Sequence, residues 1–257
     1  MSLVTDYRLT TWNSRGYKLH QVFDSFASNS SLNIFFVQES GNLADKRLIS
    51  IQQNLPFYLN DGSNSYLCGA SDFVKVYQYQ DQRVNLYIYN FFPPPNVLST
   101  LSLTIVSRVP ADSIIYFASL TRRPGRACER EFTNRPVAGI TIGNDVFLNI
   151  HAEPTGIRNE VPDQLDAIRN HMRTHAPLSS WLLAGDFNRM PSSLQLQPYN
   201  EQFVVPPLNT HGNKILDYLI LGSNDVRVFQ QMVRNPYSGI VDLTLTGSDH
   251  KAVHFSL

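Results

Sequence analysis

Six separated stretches of the chain carry polar residues whose types and positions suit one kind of chemistry. The densest is WLLAGDFN, residues 181–188. Its apolar run from Trp181 to Ala184 reads as a fully buried strand, Gly185 ends it, and Asp186 and Asn188 follow at once. In an extended chain Asp186 and Asn188 point to one face and Phe187 to the other. A carboxylate and a carboxamide placed side by side in this way can hold a water, a metal or a phosphate oxygen. For the tripeptide alone, a polar turn closing a strand is the alternative reading. The other stretches shift the balance. Asn13 ends RLTTW, Glu39 ends NIFFVQ, His151 ends VFLNI, and His250 stands directly before the last apolar run. Asp217 is embedded among Ile215, Leu216 and further apolar neighbours. A buried carboxylate needs a partner, and a histidine is a natural one.

Cleaving a phosphodiester calls for a hard cation on oxygen ligands, a base for water, and donors for the charge that develops on phosphorus. Glu39 with Asn13 makes an all-oxygen, weakly charged site of the sort Mg²⁺ accepts while keeping several waters, with Mn²⁺ or Ca²⁺ able to substitute or assist. No Cys/His cluster has zinc spacing, which argues against a zinc site. GxSxG, Walker and GxGxxG patterns are absent, so acyl transfer and a nucleotide cofactor have no support.

The elements that must position these groups can be read from periodicity. Strands are expected at 8–12, 33–39, 84–90, 101–107, 113–119, 137–142, 146–150, 181–186, 215–221, 225–229 and 251–256. Apolar residues at helical spacing predict helices over 19–28, 43–55 and 164–174, the second ended by Pro56. Gly143-Asn144-Asp145 is a hairpin turn, and a proline-marked irregular stretch runs from 191 to 207. No repeat or linker interrupts the chain, and Pro93-Pro94-Pro95 reads as a stiff surface loop. A single domain over 1–257 is therefore expected, with two packed sheets flanked by helices.

With 257 residues the chain can bury a large core without disulfides or metals. Its formal net charge of zero announces no basic field for nucleic acid, although its 21 basic residues are 16 Arg and 5 Lys, a weak bias toward bidentate phosphate ligands. No apolar run has transmembrane length and none near the start resembles a signal peptide, so a signal for export would lie outside this sequence. Cys68 and Cys128 fit no metal pattern and are compatible with free thiols, one disulfide, or a tether to another subunit.

In their order along the chain, TTWNSRG, FFVQES, NIHA, LLAGDFN, ILDYLIL and SDHKAV resemble the signature blocks of the endonuclease/exonuclease/phosphatase superfamily, whose type member is pancreatic deoxyribonuclease. SRVPAD, NRPVAGITIGNDVFLNIHA and WLLAGDFNRMP are similar to the branch formed by the catalytic B subunits of cytolethal distending and typhoid-type toxins. The resemblance spans Trp12 to the C-terminus. It implies a deoxyribonuclease I-like α+β fold, a four-layer sandwich of two mostly antiparallel sheets between helices. It implies that Glu39, assisted by Asn13, binds the metal, with Asp249 beside the metal or the water. His151 and His250 would be the active-site histidines, Asp217 would fix the tautomer of His250, and Asp186 and Asn188 would orient the attacking water and the scissile phosphate. Arg108 and Arg135 match phosphate-contacting arginines of the toxin branch, though an Arg before Pro136 is equally compatible with a surface role. The implied function is a metal-dependent DNA-damaging endonuclease, exported and acting in a host nucleus, with receptor-binding and delivery subunits as partners. A phosphoinositide phosphatase using the same site and an inactive scaffold subunit are the alternatives. Residues 121–133 depart from the family pattern, and their four arginines fit a solvated loop as well as a DNA contact.

Overall fold

Among the residues that the computed structural model describes (3–16, 18–41, 43, 45–51, 55–60, 65–68, 73–92, 102–118, 135–154, 159–234 and 237–256), sixteen strands and three α-helices form. The first half holds β1 (Arg8–Asn13), α1 (Leu19–Ser28), β2 (Leu32–Gln38), β3 (Leu48–Ser50), β4 (Phe57–Asn60), β5 (Ser65–Cys68), β6 (Val74–Gln80), β7 (Asn85–Phe91), β8 (Leu103–Ser107) and β9 (Ser113–Phe117). The second holds β10 (Val137–Ile142), β11 (Asp145–His151), α2 (Glu160–His175), β12 (Ser180–Asp186), β13 (Glu201–Val204), β14 (Asp217–Ser223), α3 (Val226–Arg234), β15 (Ser238–Asp242) and β16 (Ala252–Ser256). One eight-stranded sheet runs β15-β16-β1-β2-β8-β7-β6-β3 and the other β13-β14-β12-β11-β10-β9-β4-β5. Pairing is antiparallel except for β1 with β2, β4 with β9, and β11 with β12.

Three apolar layers hold the sheets and helices together. Inner residues of both sheets, among them Leu9, Ile34, Phe36, Phe147, Leu182 and Leu219, form the central layer. Phe23 and Phe26 of α1 pack on Trp12 and Phe35 on the outer face of the first sheet. Leu165, Ile168 and Met172 of α2 pack on Leu148, Leu183 and Ile220 on the outer face of the second. The result is the expected four-layer α+β sandwich. Among the described residues no helix is long and apolar enough to cross a membrane.

A buried polar seam crosses the central layer. Gln38 donates to Asn149 Oδ1 at 2.6 Å and Thr11 Oγ1 at 3.1 Å, and the Asn149 amide donates to the carbonyls of Val37 and Thr104 at 3.1 Å each. Glu39 and His151 lie one and two residues beyond these anchors, so the seam ties together the strand ends that carry them.

Several expectations are corrected. Within the span 43–55 expected as a helix, of which 44 and 52–54 lie outside the described residues, Leu48–Ser50 is an edge strand paired with Tyr77–Tyr79 of β6. Ile49 and Ser50 are exposed, so these residues bury no helical stripe and backbone pairing defines them. In place of the strand over 225–229, α3 begins at Val226. Asp225 Oδ1 accepts the Arg227 and Val228 amides at 2.8 and 3.4 Å, and Val228, Phe229 and Met232 form its inner face. Asp217 opens β14 instead of lying inside it. β4, β5, β6, β13 and β15 were not expected; β13 lies within the stretch read as irregular. The cysteine question, the proline run at 93–95 and the arginines of 121–133 fall outside the described residues, in the case of Cys68 by its side chain.

Candidate active site

Register brings the polar residues together. β11, β12 and β14 lie side by side, with His151 opposite Asp186 and Asp186 opposite Asp217, so three of the expected residues stand abreast at one sheet edge. In the facing sheet β1 and β2 run parallel with Asn13 opposite Gln38, which places Asn13 and Glu39 at their common end. β16 pairs antiparallel with β1, so the loop before it delivers His250 to the same end. Ser248 clamps that loop: its hydroxyl donates to the Asn13 carbonyl at 2.6 Å and accepts the His250 amide at 3.1 Å. The Trp12 indole donates to the His250 carbonyl at 3.2 Å.

Asp186 Oδ2 is the centre. Asn13 Nδ2 donates to it at 3.1 Å and Asn188 Nδ2 at 3.3 Å, while the Nε2 atoms of His250 and His151 lie 3.6 and 3.7 Å away. The Asn188 amide N–H donates to the other oxygen, Oδ1, at 2.8 Å. Asn13 Nδ2 also donates to Glu39 Oε1 at 3.3 Å, and that oxygen is 3.7 Å from His151 Nε2. His250 Nδ1 donates to Asp217 Oδ2 at 2.9 Å, which fixes Nε2 as the atom facing Asp186. The only described non-glycine residues with positive φ are Arg15, Glu39 and Asn188, at 52°, 51° and 50°. Left-handed backbone in such residues is costly, and here it aims two of the central side chains and one of the rim.

Electrostatics divide the two histidines. Burial, reinforced by the charges of Arg135 and His250, lowers the His151 pKa to about 3 and keeps the ring neutral. Burial also opposes the charge on His250, but the hydrogen bond and charge of Asp217 together with the charge of Asp186 outweigh it and raise its pKa to about 9. Asp186 is pushed up from the usual carboxylate range by burial and by the charge of Asp217. The carboxylates fit a hard divalent cation: Glu39 shares the Asn13 amide with Asp186, Asp186 and Asp217 offer oxygens within 4.8 Å of one another, and Asp217 Oδ1 is buried without a hydrogen-bond partner.

Not every expected residue joins this cluster. Asp249 is half-exposed on the rim, 3.7 Å from Arg15 and 3.6 Å from His211, so its carboxylate is engaged there and not with Glu39. Arg135 does reach the site: its guanidinium and the Asn188 amide both donate to the Ala152 carbonyl, at 3.0 and 2.7 Å. Arg108 does not. It follows β8 at the end of the sheet opposite Glu39, donates to the carbonyls of Phe26, Leu32 and Asn29 at 2.6, 2.7 and 3.1 Å, and stacks on Phe26, so its charge is spent holding α1 to the sheet. One residue was missed. His211 stacks on His250 with ring centroids 4.3 Å apart, brought there by backbone pairing of 211 with 250 that no local pattern announces.

Comparison with known proteins bears on the fold and the family. No family model matches the chain. It is 27% identical over 269 residues to a homolog of the cytolethal distending toxin B subunit from Salmonella typhi, covering 98% of this chain and 90% of that one. A solved structure of CdtB, described as the biologically active subunit of cytolethal distending toxin, superposes with a TM-score of 0.75 at 23% identity over 98% of both chains. An endonuclease/exonuclease/phosphatase family protein from Leptotrichia buccalis has a TM-score of 0.52 at 14% identity over 97% and 98% of the two chains. By sequence and by fold together, the chain is similar to the cytolethal distending toxin B subunits and shares the sandwich fold of an endonuclease/exonuclease/phosphatase family protein.

Proposed function

We propose that the chain is a divalent-metal-dependent phosphodiesterase, the DNA-cleaving subunit of a cytolethal distending-type toxin. The observation that carries this reading is the Asp186 carboxylate, buried and ringed within 3.1–3.7 Å by the amides of Asn13 and Asn188 and the imidazoles of His151 and His250. A pair of groups whose environments push their pKa values apart divides acid from base work, and His250 and His151 are such a pair.

In this reading Asp186, with its raised proton affinity, takes the proton of the attacking water, which Asn188 orients. Protonated His250, steadied by Asp217, donates to a phosphate oxygen as charge develops. Neutral His151 presents Nε2 to the same point and hydrogen-bonds a non-bridging phosphate oxygen, while the proton that the leaving oxygen needs comes from His250. Glu39, assisted by Asn13, would hold the metal, Mg²⁺ first and Mn²⁺ or Ca²⁺ as substitutes, and its positive charge would polarise the phosphate. Asp249 lies on the rim beside this position. Arg135, held beside Asn188 by the shared Ala152 carbonyl, would take a flanking phosphate of an extended polyanion. That the relatives are named as toxin subunits supports receptor-binding and delivery subunits as partners, and export with action in a host nucleus belongs to the same proposal.

Nicking of supercoiled plasmid tests the reading, with Mg²⁺ against EDTA, with Asp186→Ala, and with a soluble phosphoinositide as competing substrate. Metal-dependent nicking that Asp186→Ala abolishes, faster than phosphoinositide hydrolysis, is expected. Undiminished nicking in EDTA overturns the metal site, and faster phosphoinositide hydrolysis overturns DNA as the substrate.

A further inference from the structure

At the other end of β11 from His151 lies a cavity of about 310 Å³ between the last turn of α2, the β10–β11 hairpin and strands β4 and β9. Seven residues of strand separate this end from the catalytic one, about 20 Å at roughly 3.3 Å per residue. Tyr58, Ser113, Thr141 and Asn144 give the cavity polar walls, and His171 and His175 line its helical side.

The two histidines are four apart on α2 and so share one face of the helix. Their ring centroids are 5.0 Å apart with the planes tilted by 34°. That spacing is within reach of one tetrahedral ion with metal–nitrogen bonds of about 2.0–2.1 Å. His171 is buried against the edge of Phe117, whereas His175 is exposed at the rim. The ring of His171 is fixed from behind. Asn60 turns its amide nitrogen toward the carbonyls of Tyr58 and Tyr116, at 3.4 and 3.5 Å, and this leaves Asn60 Oδ1 to accept from His171 Nδ1 at 2.8 Å. With the proton on Nδ1, the lone pair is on Nε2. Metal-ligating histidines are held in this way, one ring nitrogen donating to a carbonyl oxygen while the other faces the ion. Burial, with the charge of His175, also lowers the His171 pKa to about 4, so no proton competes for the ring at neutral pH.

We propose that His171 and His175 form a two-imidazole site for a transition ion of the Zn²⁺ class, separate from the catalytic end. Imidazole suits Zn²⁺, Cu²⁺ and Ni²⁺ in preference to Mg²⁺ or Ca²⁺, so the chain would bind two kinds of ion at two ends. In sequence the pair is only half a zinc pattern, and what makes it a site is Asn60 arriving from β4. The proposal does not depend on the nuclease reading.

Zn²⁺ titration of the whole chain, free of any affinity tag, tests it on wild type, His175→Ala and Asp186→Asn. His175→Ala is the informative variant because its side chain is exposed and its loss opens no core cavity. An equivalent that is retained in Asp186→Asn is expected in wild type, weakened at least tenfold in His175→Ala. Cu²⁺ in place of Zn²⁺ should give an electron paramagnetic resonance spectrum with coupling to two imidazole nitrogens, reduced to one in His175→Ala, with Mg²⁺-dependent nicking unchanged. Equal stoichiometry and affinity in wild type and His175→Ala overturns the site, as does loss of the equivalent in Asp186→Asn alone.

Discussion

Asp217 makes two chemically similar histidines unlike each other. It gives His250 a charged partner at 2.9 Å, whereas His151 Nδ1 is buried with no hydrogen-bond partner. His250→Gln keeps a polar group near Asp186 but removes the proton that Asp217 holds in place. Plasmid nicking should fall by about three decades, about 4 kcal/mol of transition-state stabilisation, with the thermal midpoint little changed. Because His250, Asp217 and Asp186 act as a unit, adding Asp217→Asn should cost little more than either change alone; multiplicative losses would show that they act independently. The arginines separate in the same way. Arg135→Ala should weaken nicking and reduce its salt slope by about one phosphate contact. Arg108→Ala should leave the slope unchanged and destabilise the fold by about 2–3 kcal/mol, since three carbonyls and the face of Phe26 lose their cation. Denaturant titration alongside salt-dependent nicking tells the two apart, and an altered slope in Arg108→Ala would return that residue to the DNA interface.

At the scale of elements, catalysis rests on how closely β11 and β12 approach. Gly185 has φ of 147°, and a Cβ added there would meet the Ile150 carbonyl oxygen at 2.0 Å. Gly185→Ala must push the two strands apart next to both His151 and Asp186. It should destabilise the chain by about 1–3 kcal/mol and cost more activity than that loss of folded protein explains, because a displacement of about 1 Å at the reacting groups is expensive. Full activity at unchanged stability would mean that the strand ends tolerate the shift. What the sequence disclosed follows the same division. The strands that carry Asn13, Glu39, His151 and Asp186 were legible because each is a short run dominated by apolar and β-branched residues with a polar residue at its end, close to the pattern of a strand buried on both faces. Edge strands such as β3 and β15 were not, since a half-exposed edge has no such run and depends on its partner for definition. For α3, the alternation of Val226 and Val228 competed with the Asp225 cap, and the cap prevailed. Asp249 and Arg108 were placed by motif alone, and motifs carry no information about which carbonyl or cation lies across the fold. His211 had neither motif nor periodicity to mark it.

Across the whole molecule the buried histidines set how stability responds to pH. His151 and His171 have pKa values lowered to about 3 and about 4, against an ordinary value of 6.5, each chiefly by burial. Between pH 6.5 and 4 the unfolded chain therefore binds protons that the folded chain refuses. Stability falls as pH drops through that window, by up to about 1.4 kcal/mol per pH unit for each group. His250 has the opposite sign. Its pKa is raised to about 9, so the stabilisation it contributes is fully present below 6.5 and is lost as pH rises through 9. Asp186, raised by burial and by the charge of Asp217, likewise contributes stability that is lost as pH rises. The two trends meet near the ordinary histidine value, and thermal midpoints measured in EDTA from pH 4 to 10 should peak there. His171→Asn should flatten the acid limb without moving the alkaline one, because the side chain that refuses the proton is gone while the Asp217–His250 pair is untouched. Because Asp186 offsets about one histidine over the same window, only a midpoint that rises from pH 6.5 to 5 in the wild type would mean that the folded chain accepts those protons and that neither histidine is held neutral by its burial.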